Sequence, residues 1–383
     1  MELIVSLQNA PDPGENALVP GKIDLKGMTE QELVAFCAEA GEPDYRGRQV
    51  FAWIWGKGET EISRMSDLPA SFRELLGERA RIGWLEAENI MSGADGTEKF
   101  LWRLGDGNRI ESVRIPMPRT EGGMRWSLCI STQVGCAMGC AFCLTAKMGF
   151  HRQLSASEIA EQFLAARRRL PEGERYHNVV FMGMGEPLLN FRPVIESAKI
   201  MKDQLGYGLS RKRITISTSG ITPQIDKLPD EIDVALAISL HAPINELRDE
   251  LVPINKKYPI SELMKSCKKY LASYDGKRNI TIEYVLIDGV NDSPELARQL
   301  AKLLSDIYCK INLIPFNPFD GSDYKRSNKK NILDFKNILM EKGFITTLRI
   351  TRGDAVDGAC GQLVGKLNKS VKGKKLISHR SIS

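Results

Sequence analysis

No apolar run in this 383-residue chain approaches the roughly 20 residues that a bilayer-spanning helix requires. The short apolar stretch from Met1 to Leu7 has neither a basic leader nor a small-residue cleavage pattern, so no secretory address is expected and the chain is placed in the cytoplasm. No internal repeat or low-complexity tract is evident, which sets aside solenoids and tandem arrays. Acidic residues stop at Asp357. Beyond it come Lys366, Lys369, Lys372, Lys374, Lys375 and Arg380, an uncompensated tail that reads equally as a phosphate-contact arm or as a solvated end.

What the chain does contain is 42% apolar residues, a net charge of +5 and eight cysteines, several of them clustered. The apolar content and length allow one large core and a smaller module. The charge permits a polyanionic partner without requiring one. Clustered thiols suit a reducing compartment where they bind metal or do redox chemistry, better than a secreted disulfide scaffold.

Read in order, residues 1–22 form a flexible arm rich in Pro, Gly and Asn. Thr29 to Glu32 is a capping box that opens a helix ended by Gly41. A second helix buries Val50, Phe51, Trp53, Ile54 and Trp55, and a third begins after Leu68-Pro69. The tryptophans read as core at helical spacing, with base stacking as the alternative. This gives an accessory helical domain over 23–85. From 86 to 121 short alternating runs broken at Asp95-Gly96 and Gly105-Asp106-Gly107 predict a three-stranded β-meander.

Beyond it, strands near 126–131, 178–181, 213–217, 233–239, 279–287, 310–314 and 344–350 alternate with helices near 157–169, 192–204, 259–271 and 294–305. Alternation of this kind predicts an α/β fold with a parallel sheet covered by helices, closing as a partial (β/α)6 barrel over 122–362, with a basic tail over 363–383. Barrels of this class place chemistry at the carboxyl ends of their strands. The Gly-rich and polar marks of the sequence fall there.

The first such mark is Cys136-x3-Cys140-x2-Cys143, three thiols delivered by one loop. A cubane that only carries electrons takes four thiolates. Three would leave one iron open to a substrate. The alternative is zinc, with a histidine such as His151 completing a tetrahedron. The second mark, Gly183-Met184-Gly185-Glu186-Pro187, lets the backbone approach a ligand at Gly185 while Glu186 accepts from ammonium or hydroxyl groups. Ser217, the segment Ser239-Leu240-His241, and Asn317 end the next strands as candidate hydrogen-bonding groups. Cys129 approaches the cysteine loop on its strand, and Cys360 lies in a Gly-rich loop after the last strand. Cys37, Cys267 and Cys309 read as structural thiols.

The three-cysteine loop resembles that of the radical S-adenosylmethionine (radical SAM) superfamily. The blocks at 129–143, 183–190, 213–220, 234–243, 252–257, 312–318 and 351–361 are similar, in order, to the RlmN group, whose members methylate adenine in 23S ribosomal RNA and transfer RNA. The segment between Glu111 and Cys129 is longer than in that pattern. The resemblance implies a [4Fe-4S] cluster on Cys136, Cys140 and Cys143. SAM would contact Gly185, Glu186, Ser217, Ser239, Leu240, His241 and Asn317, two molecules being consumed per methylation.

It also implies that Cys360 takes a methyl group from the first SAM. A radical made from the second then removes hydrogen from that S-methyl group, and the resulting carbon radical adds to the electron-poor C2 of adenine. Glu111 would accept the C2 proton, and Cys129 would release the protein-RNA adduct, leaving a disulfide. An electron donor such as a flavodoxin system is implied, and no membrane partner. The alternative function is methylation at C8, as in the closely related Cfr group. A noncatalytic RNA-binding protein with a structural metal is the reading from a different class. Arg211, Lys212, Arg213, Lys256, Lys257, Lys325 and Arg326 are candidate phosphate contacts beside the accessory domain.

Overall fold

The computed structural model describes residues 21–118, 123–274, 278–349 and 361–363. Its N-terminal module is three helices, α1 (Glu30–Glu39), α2 (Tyr45–Phe51) and α3 (Ala70–Arg79), closed by parallel pairing of β1 (Ile23–Asp24) with β2 (Ala80–Arg81). The Thr29 capping box forms in both directions. The Glu32 amide donates to Thr29 Oγ1 at 3.3 Å and the Thr29 amide donates to Glu32 Oε2 at 2.7 Å. α2 runs on into a π-type turn over Ala52–Lys57 that ends at Gly58.

Leu33, Val50, Phe51, Trp55, Phe72 and Leu76 fill the module's core. Trp55 is therefore a core residue. Trp53 is half-buried with the Lys57 ammonium over its ring.

Three antiparallel strands follow, β3 (Glu86–Ser92), β4 (Glu98–Arg103) and β5 (Arg109–Pro118). They form the expected meander, but the sheet does not break after it. β5 pairs antiparallel with β6 (Met124–Cys129), so the meander extends the edge of the barrel sheet. From β6 the sheet continues in parallel through β9 (Tyr176–Phe181), β10 (Ile214–Thr218), β11 (Ala235–Ser239), β12 (Ile280–Leu286), β13 (Cys309–Pro315) and β14 (Thr346–Leu348). In β12 the residues Ile280, Ile282 and Tyr284 alternate with Thr281, Glu283 and Val285, the period that puts one set under helices and the other inside the barrel. A separate hairpin, β7 (Gln133–Gly135) with β8 (Phe150–Gln153), stands over the mouth.

The crossovers are made by α4 (Leu144–Lys147) and α5 (Ala156–Arg167), α6 (Phe191–Lys202), α7 (Thr222–Glu231), α8 (Asn245–Leu251) and α9 (Ile260–Ala272), α10 (Pro294–Leu303) and α11 (Lys329–Glu341). Sequence reasoning missed α4, α7, α8 and α11. α7 holds Pro223 in its first turn, where no intrahelical donor is lost, and Pro229 in its last. α11 opens on polar Lys and Asn residues behind an Asn328 cap.

The module docks on α5 through a buried ion pair, Lys26 Nζ to Glu161 Oε1 at 2.6 Å. Burial lowers the lysine's pKa and raises the glutamate's, in each case against the pull of its partner. Among the described residues no helix is long and apolar enough to cross a membrane.

Candidate active site

The cysteine loop is set by the β7–β8 hairpin. Gly135 has φ +76°, and a Cβ there would lie 1.9 Å from the Gly149 carbonyl oxygen, so the hairpin closes only on glycine. That same oxygen accepts from the Cys136 amide at 2.9 Å. The Cys143 amide donates to the Cys140 oxygen at 3.1 Å and the Ala141 amide to the Leu251 oxygen at 3.1 Å, which ties the loop to the end of α8. Cys136, Cys140 and Cys143 all line one cavity at the barrel mouth. Burial first, and then the neighbouring Cys143, pushes the Cys136 and Cys140 thiols well up from the ordinary thiol range. Such thiols ionise only against a strongly positive centre.

His151 is exposed on β8, and among the described residues no three His, Cys, Asp or Glu side chains are grouped to hold one metal ion. Three thiols around a shared cavity suit a larger inorganic centre.

The opposite wall is built from strand ends. Gly185 has φ +101° and packs against Gln133, where a Cβ would come within 2.5 Å of the glutamine's own. Glu186 is buried, and its Oε2 accepts from the Ser219 amide and Oγ, both at 2.8 Å, while Oε1 accepts from the Leu188 amide at 3.0 Å. Burial raises its carboxyl pKa, and the Ser219 donors resist the shift. Ser217 and Ser239 line the cavity with their hydroxyl oxygens 3.5 Å apart. Asn317 lines it as well, with Oδ1 held by Arg326 Nη2 at 2.9 Å.

His241 is the one non-glycine residue with positive φ among those described, at 60°. Its Nδ1 accepts from the Val285 amide at 3.0 Å, which puts any proton of the neutral ring on Nε2. Burial, aided by the charge of Arg248, lowers its pKa to about 3, and Phe142 of the cysteine loop meets the ring edge-on. His241 therefore offers a neutral N–H donor to the cavity.

Three candidates stand apart from the cavity lining. The Leu240 side chain is fully buried, its carbonyl accepts from Arg248 Nε at 3.0 Å and its amide donates to the Glu283 carbonyl at 3.1 Å. Cys129 is buried at the end of β6, paired with Val113 and Val180. Register places it on the barrel-facing side, since Val180 pairs with Thr215, two residues before the cavity-lining Ser217. Glu111, two residues from Val113, shares that face. It is buried rather than solvent-facing and ion-paired with Lys99 at 3.3 Å, and its carbonyl accepts from Ser131 Oγ at 2.6 Å.

Cys360 lies outside the described residues. Its chain neighbour Gly361 lines the cavity and accepts from the Leu144 amide at 2.7 Å, while the Leu363 carbonyl accepts from Thr145 Oγ1 at 2.6 Å.

Sequence reasoning missed Glu283, a buried lining residue that accepts from Asn312 Nδ2 at 2.7 Å and whose carboxyl pKa is raised by burial. Its signal was the lone charge within an otherwise apolar strand. Of the proposed phosphate contacts, Arg211 pairs with Asp233, and Arg213 donates to Asn178 Oδ1 at 3.2 Å.

Residues 130–301 match the radical SAM superfamily, and residues 23–82 match the ribosomal RNA large subunit methyltransferase N-terminal domain. Proteins named dual-specificity RNA methyltransferase RlmN are similar along nearly the whole chain. The one from Marinobacter nauticus is 47% identical over 350 residues, covering 90% of this chain and 94% of its own length. The one from Saccharophagus degradans is 47% identical over 364 residues, covering 94% and 90%. The chain belongs to the RlmN family.

A crystal structure of a radical SAM methyltransferase from Sphaerobacter thermophilus has the same fold, with TM-score 0.83 and 41% identity over 90% of this chain and 99% of that one. The RlmN-family chain is thus a radical SAM RNA methyltransferase, an enzyme rather than a passive RNA-binding module. Radical SAM membership implies a [4Fe-4S] cluster and SAM, and the three thiols facing a wall of Ser, Asn and Glu side chains fit that pair.

Proposed function

We propose that this enzyme methylates C2 of adenine in 23S ribosomal RNA and in transfer RNA, consuming two SAM molecules per methyl group and acting in the cytoplasm, where those RNAs are. The observation behind this reading is convergence. The three-thiol loop, the hydroxyl and amide wall, and the Gly361–Leu363 segment meet at one cavity, with Cys129 and Glu111 on the same inner face of the sheet.

In this reading Cys136, Cys140 and Cys143 hold the cluster. Glu186, Ser217, Ser239, His241 and Asn317 orient SAM beside it, with Gly185 and the Leu240 backbone shaping the pocket. When bound, the cluster supplies the electron that opens SAM to a hydrogen-abstracting carbon radical. Cys360 first takes a methyl group from one SAM by thiolate displacement, a carbon-sulfur bond forming as the sulfonium bond breaks. After loss of one hydrogen atom, that carbon joins C2 and links Cys360 to the RNA.

Glu111, kept near the inner face by Lys99, accepts the C2 proton, and the adduct would give up its one unpaired electron, for which the cluster held by Cys136, Cys140 and Cys143 would be the acceptor at hand. Cys129 then attacks the Cys360 sulfur. A sulfur-sulfur bond forms, the carbon leaves with the adenine and is protonated to methyl, and the disulfide awaits an external reductant. A flavodoxin-type donor would supply electrons. The target base must leave its stack to enter the cavity. The accessory domain at 23–85, joined by the meander at 86–121 to the barrel at 122–362, would contribute RNA contacts.

The test is anaerobic turnover with SAM bearing a trideuterated methyl group. The expected product has methyl at C2 with two deuteriums, the third appearing in 5′-deoxyadenosine. Three deuteriums arriving intact would overturn the route, and a methyl group found only at C8 would favour the Cfr-type reaction.

A further inference from the structure

Arg248 of α8 is fully buried behind the cavity wall. Its Nε donates to the Leu240 oxygen at 3.0 Å and its Nη1 to Asn255 Oδ1 at 2.9 Å. Its Nη2 donates to the Ser219 oxygen at 2.6 Å and the Ser239 oxygen at 3.3 Å. All four acceptors are neutral, and among the described residues no carboxylate forms an ion pair with it. A buried cation without a counter-charge is strongly unfavourable.

Asp249 attracts it from a half-buried position but accepts from Asn255 Nδ2 at 2.6 Å rather than from the guanidinium. Two of the carbonyls Arg248 holds belong to Ser219 and Ser239, which line the same cavity as Cys140, so the guanidinium stands behind the wall that shares the cavity with the three thiols. The same helix ends at Leu251, whose carbonyl holds the cysteine loop.

We infer that Arg248 is the built-in counter-charge of the three-thiolate cluster site, clamped by the carbonyls of the β10 and β11 strand-end loops so that the cluster is easier to reduce. The inference rests on the cluster reading above. Three thiolates on a doubly positive cubane leave one net negative charge, and an added electron makes it two. A fixed neighbouring cation stabilises the reduced form more than the oxidised one and raises the potential, which net charge and hydrogen bonding are known to set. Burial leaves the attraction poorly screened. Arginine suits the position because donors on three separate nitrogens of its planar fork reach four acceptors, whereas a lysine's donors share one nitrogen.

The experiment is an EPR-monitored redox titration of anaerobically reconstituted enzyme, with iron and sulfide counted per chain and melting followed in parallel. Arg248→Gln is expected to keep its cluster. At the poise where the unsubstituted enzyme is half reduced, its reduced-to-oxidised ratio should fall about tenfold, a shift of about 59 mV for a one-electron couple. Arg248→Lys keeps the charge and loses the fork, so its potential should stay near that of the unsubstituted enzyme while its melting temperature drops. Asp249→Asn leaves Arg248 and its bonds in place and should move the potential upward.

Equal potentials in Arg248→Gln and the unsubstituted enzyme, or equal shifts in the Gln and Lys variants, would overturn the inference. Should Arg248→Gln fail to hold iron, an unchanged or lowered potential in Asp249→Asn would do the same. An unsubstituted enzyme that reconstitutes no cluster would instead undo the reading on which the inference stands.

Discussion

The buried ion pair between Lys26 and Glu161 is predicted to behave asymmetrically under substitution. It joins the N-terminal module to α5 at 2.6 Å, with the lysine fully buried and the glutamate side chain 7% exposed. Burial dominates the pKa of both partners, lowering the lysine's and raising the glutamate's. The attraction therefore only partly offsets the loss of hydration. Removing one partner leaves an uncompensated buried charge, which costs about 3–5 kcal/mol. With a urea slope of about 2–3 kcal/mol/M, that is a midpoint lowered by about 1–2.5 M in Lys26→Met or Glu161→Leu. The double variant, apolar on both sides, should recover most of the loss or exceed the parent by up to about 1–4 kcal/mol.

The pH dependence separates the two single variants. In Lys26→Met the remaining Glu161 has a folded pKa above its unfolded one. The folded state then binds the extra proton, so stability is fullest below the unfolded value and is lost as pH rises through the folded one. In Glu161→Leu the remaining Lys26 has a lowered folded pKa, so stability is fullest above its unfolded value and is lost as pH falls through the folded one. Urea unfolding followed by circular dichroism across pH tests both. Single variants costing under about 1 kcal/mol, with no opposite pH trends, would show the junction to be solvated and refute the reasoning.

Gly135→Ala must displace the Gly149 carbonyl from its position under Cys136, and iron content per chain after reconstitution is expected to fall by at least about half. Ser219→Ala removes one of two donors to Glu186 Oε2. A hydrogen bond to a charged group contributes about 1.5–3 kcal/mol, so SAM affinity measured by anaerobic calorimetry should drop about tenfold or more. The Glu186 carboxyl is already raised by burial, so binding that needs its ionised form is lost as pH falls through the raised value, and Ser219→Ala should move that loss to higher pH. Cys129→Ala should accumulate a protein-RNA adduct visible on denaturing gels, whereas Cys360→Ala should form none. Undiminished turnover by both would remove the thiol exchange from the mechanism.

Much of the site was legible because barrel chemistry gathers at strand ends, and those ends announce themselves locally. Cys136, Gly185, Ser217, Ser239, His241 and Asn317 each follow an apolar strand with a polar or Gly-rich break, and the fold brings all of them to one cavity. What stayed hidden depends on distant chain segments. Arg248 reads as one more charge on a short helix, and its meaning comes from three carbonyls on two other segments. Lys26 and Glu161 are 135 positions apart and look like ordinary surface charges until the module docks. The continuity of the meander with the barrel was likewise unread, because the sequence pattern put β5 and β6 in separate units although Pro118 and Met124 pair across only the residues 119–123. Glu111 shows both sides, a residue placed by its motif whose burial and lysine partner only the sheet discloses.

Cys129 closes β6 between two hydrogen-bonded neighbours, Val113 on an antiparallel strand and Val180 on a parallel one. A thiol seated between two ladders has little freedom to search. In any exchange that uses it, the travelling must be done by the other reactant, so the timing of product release would be governed by how that reactant comes within reach rather than by any swing of the strand. Slowing the approach of the Cys360 sulfur that carries the adduct, for instance with viscous co-solvents, should then lengthen adduct lifetime without altering the intrinsic nucleophilicity of Cys129.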